Sequence, residues 1–152
     1  MDPNTFFTAA AFLFGLIFGS FLNVCIYRMP RGLSVVAPRS ACPNCKRPIA
    51  AYDNIPVVSW LFLRGRCRHC KTPISPRYLG VELLTAILFA ACVWEFGPTL
   101  AAVKFVTFSF LLVGLIFTDC ENRLLPDLLT LPGFCIGLAF SLVAPINGLF
   151  EY

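Results

Sequence analysis

Four apolar runs, at residues 6–26, 79–96, 100–118 and 128–144, constrain this chain more than any other feature. At ~1.5 Å per helical residue, runs of roughly 20 residues cross a hydrocarbon core ~30 Å thick. The expected fold is therefore an all-α polytopic membrane protein with about four transmembrane helices. Composition agrees: 58% of residues are hydrophobic and only 13% are charged, against about a quarter charged in soluble domains. That balance excludes an ordinary water-soluble globular domain.

Three regions follow from the pattern. Residues 1–27 read as a first transmembrane helix, 28–78 as an extramembrane loop, and 79–152 as a transmembrane bundle. A cleaved signal peptide is the competing reading of the first run. It lacks a basic segment before the apolar stretch, where Asp2 stands, and its first basic residues, Arg28 and Arg31, follow it. Gly15 and Gly19 form a G-x-x-x-G pair with Ser20 adjacent, a pattern that lets helices approach closely in a membrane.

The net charge of +4 would suggest nucleic acid if it were diffuse, but ten of the twelve Lys and Arg residues lie between Arg28 and Arg77. Such clustering beside apolar spans marks the cytoplasmic side. It places the 28–78 loop and the later polar stretch, Asp119 to Asp127, inside and the N-terminus outside, with no nucleic-acid role. Lys104 would then lie near the outer end of the third span, where its side chain can reach the interface.

Four of the eight cysteines sit singly in apolar stretches. The other four form Cys42-Pro43-Asn44-Cys45 and Cys67-Arg68-His69-Cys70. Two C-x-x-C turns, each aiming two thiolates at one point, suit a closed tetrahedral Zn²⁺ site, which is structural rather than catalytic. Reduced thiols without metal, or a redox pair, are the alternative. Lys46, Arg47, Arg66, Arg68 and Lys71 favour the thiolates, and His69 is expected to face solvent. No fold-level repeat is evident; the two units read as halves of one site.

Asp119 directly follows the third run, and a carboxylate at a membrane boundary is a candidate acid or base. An ordinary loop acid is the alternative. Asp127, before the fourth run, suits helix capping. Glu82 lies about one turn into the second span, either pairing with Arg77 or joining a polar site facing the bundle.

Together, Gly19-Ser20-Phe21-Leu22-Asn23-Val24-Cys25-Ile26-Tyr27-Arg28-Met29-Pro30, Pro38-Arg39-Ser40, the C-x-x-C pairs, Asn54-Ile55-Pro56, Ser59-Trp60, Arg77-Tyr78, Val81-Glu82, Asp119 and Leu125-Pro126-Asp127 resemble the type IV prepilin leader peptidases. The resemblance implies a multi-pass aspartic endopeptidase of the bacterial inner membrane. It would cleave prepilin or pseudopilin leaders at the cytoplasmic face, in type IV pilus or type II secretion systems. Many such enzymes also methylate the new N-terminus with S-adenosylmethionine. Carried over by motif, Asp119 is the first catalytic aspartate and Cys42, Cys45, Cys67 and Cys70 are zinc ligands. Asn23, Arg77 and Glu82 belong to the region associated with methylation, hence candidate cofactor-binding residues.

Two departures stand out. The family's second aspartate lies in a G-x-G-D motif, and no Gly-Asp pair occurs here. Leu79-Gly80 stands where proline is frequent after Arg-Tyr. Catalysis by two aspartates needs one to activate water and the other to polarise the carbonyl, so these 152 residues alone are expected to be inactive. The alternative is a truncated, non-catalytic, zinc-stabilised membrane module that binds prepilins.

Overall fold

The computed structural model describes residues 2–123 and 127–143. They form α1 (Pro3–Arg28), α2 (Val58–Phe62), α3 (Arg77–Phe96), α4 (Leu100–Asn122) and α5 (Asp127–Val143), with short 3₁₀ turns at Met29–Arg31 and Ala51–Asn54. No strand occurs among the described residues; the cysteine loop carries only isolated bridges, Ala41 to Pro48 and Arg66 to Pro73.

Three helices, Pro3–Arg31 with its terminal 3₁₀ turn, Arg77–Phe96 and Leu100–Asn122, are long and apolar enough to cross a membrane. The fourth expected span corresponds to α5, whose apolar part, Leu129–Val143, is shorter; the end of that span, at residue 144, lies outside the described residues. Large side chains such as Leu13, Phe14, Ile17, Trp94 and Phe108 point outward, which suits helices solvated by lipid.

The core is the seam between antiparallel α1 and α3, extended by α4. Leu22, Cys25, Ile26, Val81 and Val113 form its buried cluster. Glycine makes the seam possible. A Cβ built on Gly15 would stand 2.5 Å from the Ala86 Cα, and one on Gly19 would stand 2.7 Å from the Glu82 Cα. Backbones this close leave no room for any side chain, as the G-x-x-x-G pattern anticipates. The register runs the length of the pair: Asn4 Nδ2 donates to the Trp94 carbonyl at one end (3.4 Å) and Asn23 Nδ2 donates to the Tyr78 carbonyl at the other (3.0 Å).

The α3–α4 connection is tight. Gly97 adopts φ 62° and ψ −170°, a combination open almost only to glycine, and Thr99 caps α4 by accepting from the Ala102 amide. At the other end α4 outlasts its apolar run. Asp119 is therefore helical, and the chain leaves α4 at Arg123, whose left-handed backbone donates its N–H to the Asp119 carbonyl at 2.8 Å.

Gly15→Ala and Gly19→Ala should each lower the thermal midpoint in detergent, by the equivalent of about 1–3 kcal/mol or more, because the obstructing atoms are backbone. Gly80→Ala, with nothing within 4 Å of its added Cβ, should not destabilise. Equal effects at Gly19 and Gly80 would refute the close-contact seam.

Candidate metal centre and membrane-edge carboxylates

Cys42, Cys45, Cys67 and Cys70 bring their sulfurs within 4.8 Å of one another. Cys42 and Cys70 Sγ lie 3.7 Å apart. Sulfurs at the corners of a tetrahedral site with ~2.3 Å Zn–S bonds would be about 3.8 Å apart, so the donor set fits a tetracoordinate metal ion. His69 is exposed and outside the cluster, with Nδ1 3.3 Å from Arg47 Nη1.

The likeness of the two units extends beyond their cysteines. Cys-Pro-Asn-Cys-Lys-Arg-Pro-Ile at 42–49 and Cys-Arg-His-Cys-Lys-Thr-Pro-Ile at 67–74 fold alike. In each, the first cysteine's carbonyl accepts from the lysine amide (Lys46 2.9 Å, Lys71 3.0 Å). Its own amide donates to the residue after that lysine (Arg47 3.0 Å, Thr72 2.9 Å). Both lysines take a left-handed backbone, φ 59° and 60°. The shared Lys-x-Pro-Ile was the available sequence signal for this two-fold construction.

The halves are cross-tied: Asn44 Nδ2 donates to Thr72 Oγ1 at 2.7 Å, and the Cys70 thiol lies 3.3 Å from that oxygen. Hydrogen bonds from the Thr72 hydroxyl and amide push Cys70 down to about 5. Cys45 is pushed up to about 11; the Arg47 amide lowers it, but desolvation and the surrounding thiols outweigh that contribution. A cation held by the four sulfurs would displace the thiol protons, since thiolates are the metal-binding form.

Beyond the cysteines, the lone acid of the basic loop has a defined task. Asp53 receives Arg68 Nε (2.7 Å) and Nη2 (2.6 Å) in a bidentate pair, which holds its carboxyl below its usual value. Arg68 lies within the second knuckle, so the pair ties that knuckle to the Ala51–Asn54 turn. Trp60 Nε1 approaches the Ile74 carbonyl at 3.4 Å, and its ring covers Gly65, where a Cβ would come within 2.7 Å. The loop is thereby fixed to α2.

Glu82 does not pair with Arg77. Buried at 7% exposure, it faces the bundle and accepts the Val57 amide at 2.7 Å through Oε2. Val57 is a β-branched residue at φ 62° and ψ −53°, closing a γ-turn in which the Val58 amide meets the Pro56 carbonyl at 2.5 Å. Such geometry costs ~1–3 kcal/mol, and Glu82 is what holds it. Asn23 is buried nearby, linked to Tyr78, and its Oδ1 has no partner; neither has the buried Nε of Arg77.

Arg77 instead forms an ion pair with Glu121, and its guanidinium lies 4.6 Å from the Tyr78 ring centroid. The pair joins the start of α3 to the end of α4. Asp119, two residues before Glu121, lies on a different face of α4, is exposed, and makes no hydrogen bond through its carboxylate among the described residues. Asp127 stands exposed in the first turn of α5, where a carboxylate suits the helix dipole. The Leu125-Pro126 part of the expected motif lies outside the described residues. Val57, Asp53 and Glu121 escaped the sequence reading; only Asp53, one acid among ten bases, carried a signal. A shallow cavity of about 190 Å³ on α5 and one of about 200 Å³ between α4 and α5 touch none of these groups.

Comparison with known proteins gives the arrangement a lineage. Residues 13–96 match the Bacterial Peptidase A24 N-terminal domain. The chain is 49% identical over 135 residues to a Prepilin leader peptidase/N-methyltransferase of Myxococcus xanthus (strain DK1622), covering 89% of this chain and 40% of that protein. It is 43% identical over 156 residues to one of Aeromonas hydrophila, covering 87% and 54%, and 40% identical over 163 residues to one of Neisseria gonorrhoeae, covering 91% and 57%. The chain thus spans about half the length of the curated relatives it matches. No solved structure matches it. Through that domain, which takes in the α1–α3 seam and the whole cysteine loop, the chain belongs to the bacterial A24 peptidases.

Proposed function

We propose that the chain serves in a prepilin leader peptidase, an aspartic endopeptidase that cleaves type IV prepilin or pseudopilin leaders at the cytoplasmic face of the bacterial inner membrane. The observation that carries the reading is the placement of Asp119. It is an exposed carboxylate in the last turn of a membrane-length helix, at the same end of α4 that the Arg77–Glu121 pair ties to the start of α3, though on a different face from Glu121. The names of the relatives support the substrate class. The charge of the loop supports its cytoplasmic location, with the N-terminus outside.

Asp119 is one of the two carboxylates such hydrolysis needs, one taking a proton from water while the other, protonated, polarises the scissile carbonyl. Glu121 is a poor candidate for the second because its side chain is already engaged by Arg77 and lies on a different face of α4 from Asp119. The partner is expected from a segment bearing a Gly-Asp pair, which this sequence lacks.

Cys42, Cys45, Cys67 and Cys70 hold a structural Zn²⁺ in this reading, the ion closing a loop whose own core is small. For methylation, S-adenosylmethionine supplies an electrophilic methyl group. The unpartnered Asn23 Oδ1 and Arg77 Nε are the acceptor and donor available to a polar ligand, whereas Glu82 is engaged by Val57 and acts by holding the loop.

A second reading is a truncated, non-catalytic, zinc-stabilised membrane module that binds prepilins through the cysteine loop, whose four sulfurs suffice for a structural ion without any catalytic group. A prepilin leader peptide that binds the chain without turnover would distinguish it.

Two outcomes are expected. Asp119→Asn in a protein that also carries the Gly-Asp segment should reduce prepilin cleavage by at least about 10²–10⁴-fold; full activity would remove Asp119 from the chemistry. Chelation of the purified chain should release one zinc and open residues 28–77 to proteolysis, and an unchanged digestion pattern would refute a structural metal.

A further inference from the structure

We propose that α2 and the arginines after it form an interfacial anchor that docks the cysteine loop onto anionic lipid headgroups of the membrane that α1 and α3 cross. The inference rests on the membrane-crossing reading of those helices and is independent of the role of Asp119.

α2 lies at the depth of the membrane boundary. The residue preceding α2, Val57, donates its amide to Glu82, five residues into α3 from Arg77 and so ~7.5 Å along its axis. Helical side chains lean toward the N-terminus, which carries the Glu82 carboxylate back toward the membrane boundary. α2 therefore begins at the level where α3 passes from polar to apolar surroundings. The Asn23 to Tyr78 hydrogen bond places α1 at the same boundary.

α2 presents an apolar ridge. Val58, Leu61 and Phe62 are 44%, 58% and 85% exposed. They occupy positions i, i+3 and i+4 and so share one side of the helix. Ser59, on another side, is buried and donates to the Tyr52 carbonyl at 2.8 Å. An apolar ridge open to water would be costly; at the headgroup boundary the same ridge enters the acyl region, as surface-lying amphipathic helices do.

Charge selects the lipid. Arg64 and Arg66, both exposed, directly follow the ridge. Residues 28–78 carry ten basic side chains against one acid, Asp53, and that acid is already paired with Arg68. Basic residues beside a membrane are drawn to anionic headgroups. The ridge is also held firm: Trp60 locks α2 to the second knuckle through Gly65 and the Ile74 carbonyl, so the loop docks as one body.

Trp60 provides the readout. The chain has two tryptophans, and Trp94→Phe removes the other, which is exposed near the far end of α3. Trp60 emission is measured with the protein in bilayers of phosphatidylcholine alone or mixed with phosphatidylglycerol, each with ordinary or brominated acyl chains. Brominated chains should quench Trp60 by about twofold in the anionic bilayer and less in the neutral one, with the difference shrinking as salt is raised. Phe62→Ser should remove most of the quenching. The Arg64→Gln, Arg66→Gln pair should remove its dependence on phosphatidylglycerol, and both variants should keep wild-type metal content. Equal emission in ordinary and brominated lipid, or quenching indifferent to phosphatidylglycerol and to the arginines, would overturn the proposal. So would a Trp60 that responds only to an added prepilin leader peptide, which would assign the ridge to substrate.

Discussion

The close approach of α1 and α3 at Gly15 and Gly19 is the contact on which the rest of the structure depends. Lipid offers no hydrophobic force to bring helices together, so the pair is held by backbone packing and by the few polar groups the contact encloses. Because Gly19 lets α1 lie against the Cα of Glu82, the Glu82 side chain is shielded from lipid at the seam and emerges where the Val57 amide can reach it. A helix–helix contact inside the membrane thus positions a loop outside it. The chain of fixed points continues from Val57 through α2 and Trp60 to the second knuckle, and from there by Asn44 and Thr72 to the first.

A second connection runs along the same boundary. Arg77 begins α3, stacks near Tyr78 and pairs with Glu121 at the end of α4, so the helix that presents Asp119 is tied to the helix that carries the loop. Its buried Nε and the Oδ1 of Asn23 remain unpartnered. Buried polar groups left this way cost about 1–3 kcal/mol each.

What could be read from the sequence was whatever repeats or persists along it. Apolar runs persist, so the existence and order of α1, α3 and α4 were legible, with their ends displaced by up to four residues, and the two C-x-x-C pairs declared the cysteine cluster. The G-x-x-x-G pair foretold a close packing face, though not its partner. Polar pairings across long separations were not legible. For Glu82 a pair with Arg77 and a polar site facing the bundle were equally open; Arg77 reaches a residue 44 positions away and Glu82 one 25 positions back, because the helix turns the two side chains toward different neighbours. Val57 gave no sign of its left-handed backbone, since β-branched residues avoid that region unless the surroundings impose it. Asp119 appeared to begin a loop because the apolar run stops before it, whereas α4 continues to Asn122; helix propagation needs backbone hydrogen bonds, not apolar side chains.

The arrangement outside the membrane depends on Glu82, buried at the α1–α3 seam, holding the cysteine loop in place through the Val57 amide. Hydrogen exchange at Val57 in detergent or lipid, with Glu82→Ala beside the unaltered chain, tests this most directly. Slow exchange in the unaltered protein, and exchange accelerated at Val57 and through α2 in the variant while α1 and the metal content persist, is the predicted result. A Val57 amide that exchanges equally fast in both proteins would contradict it.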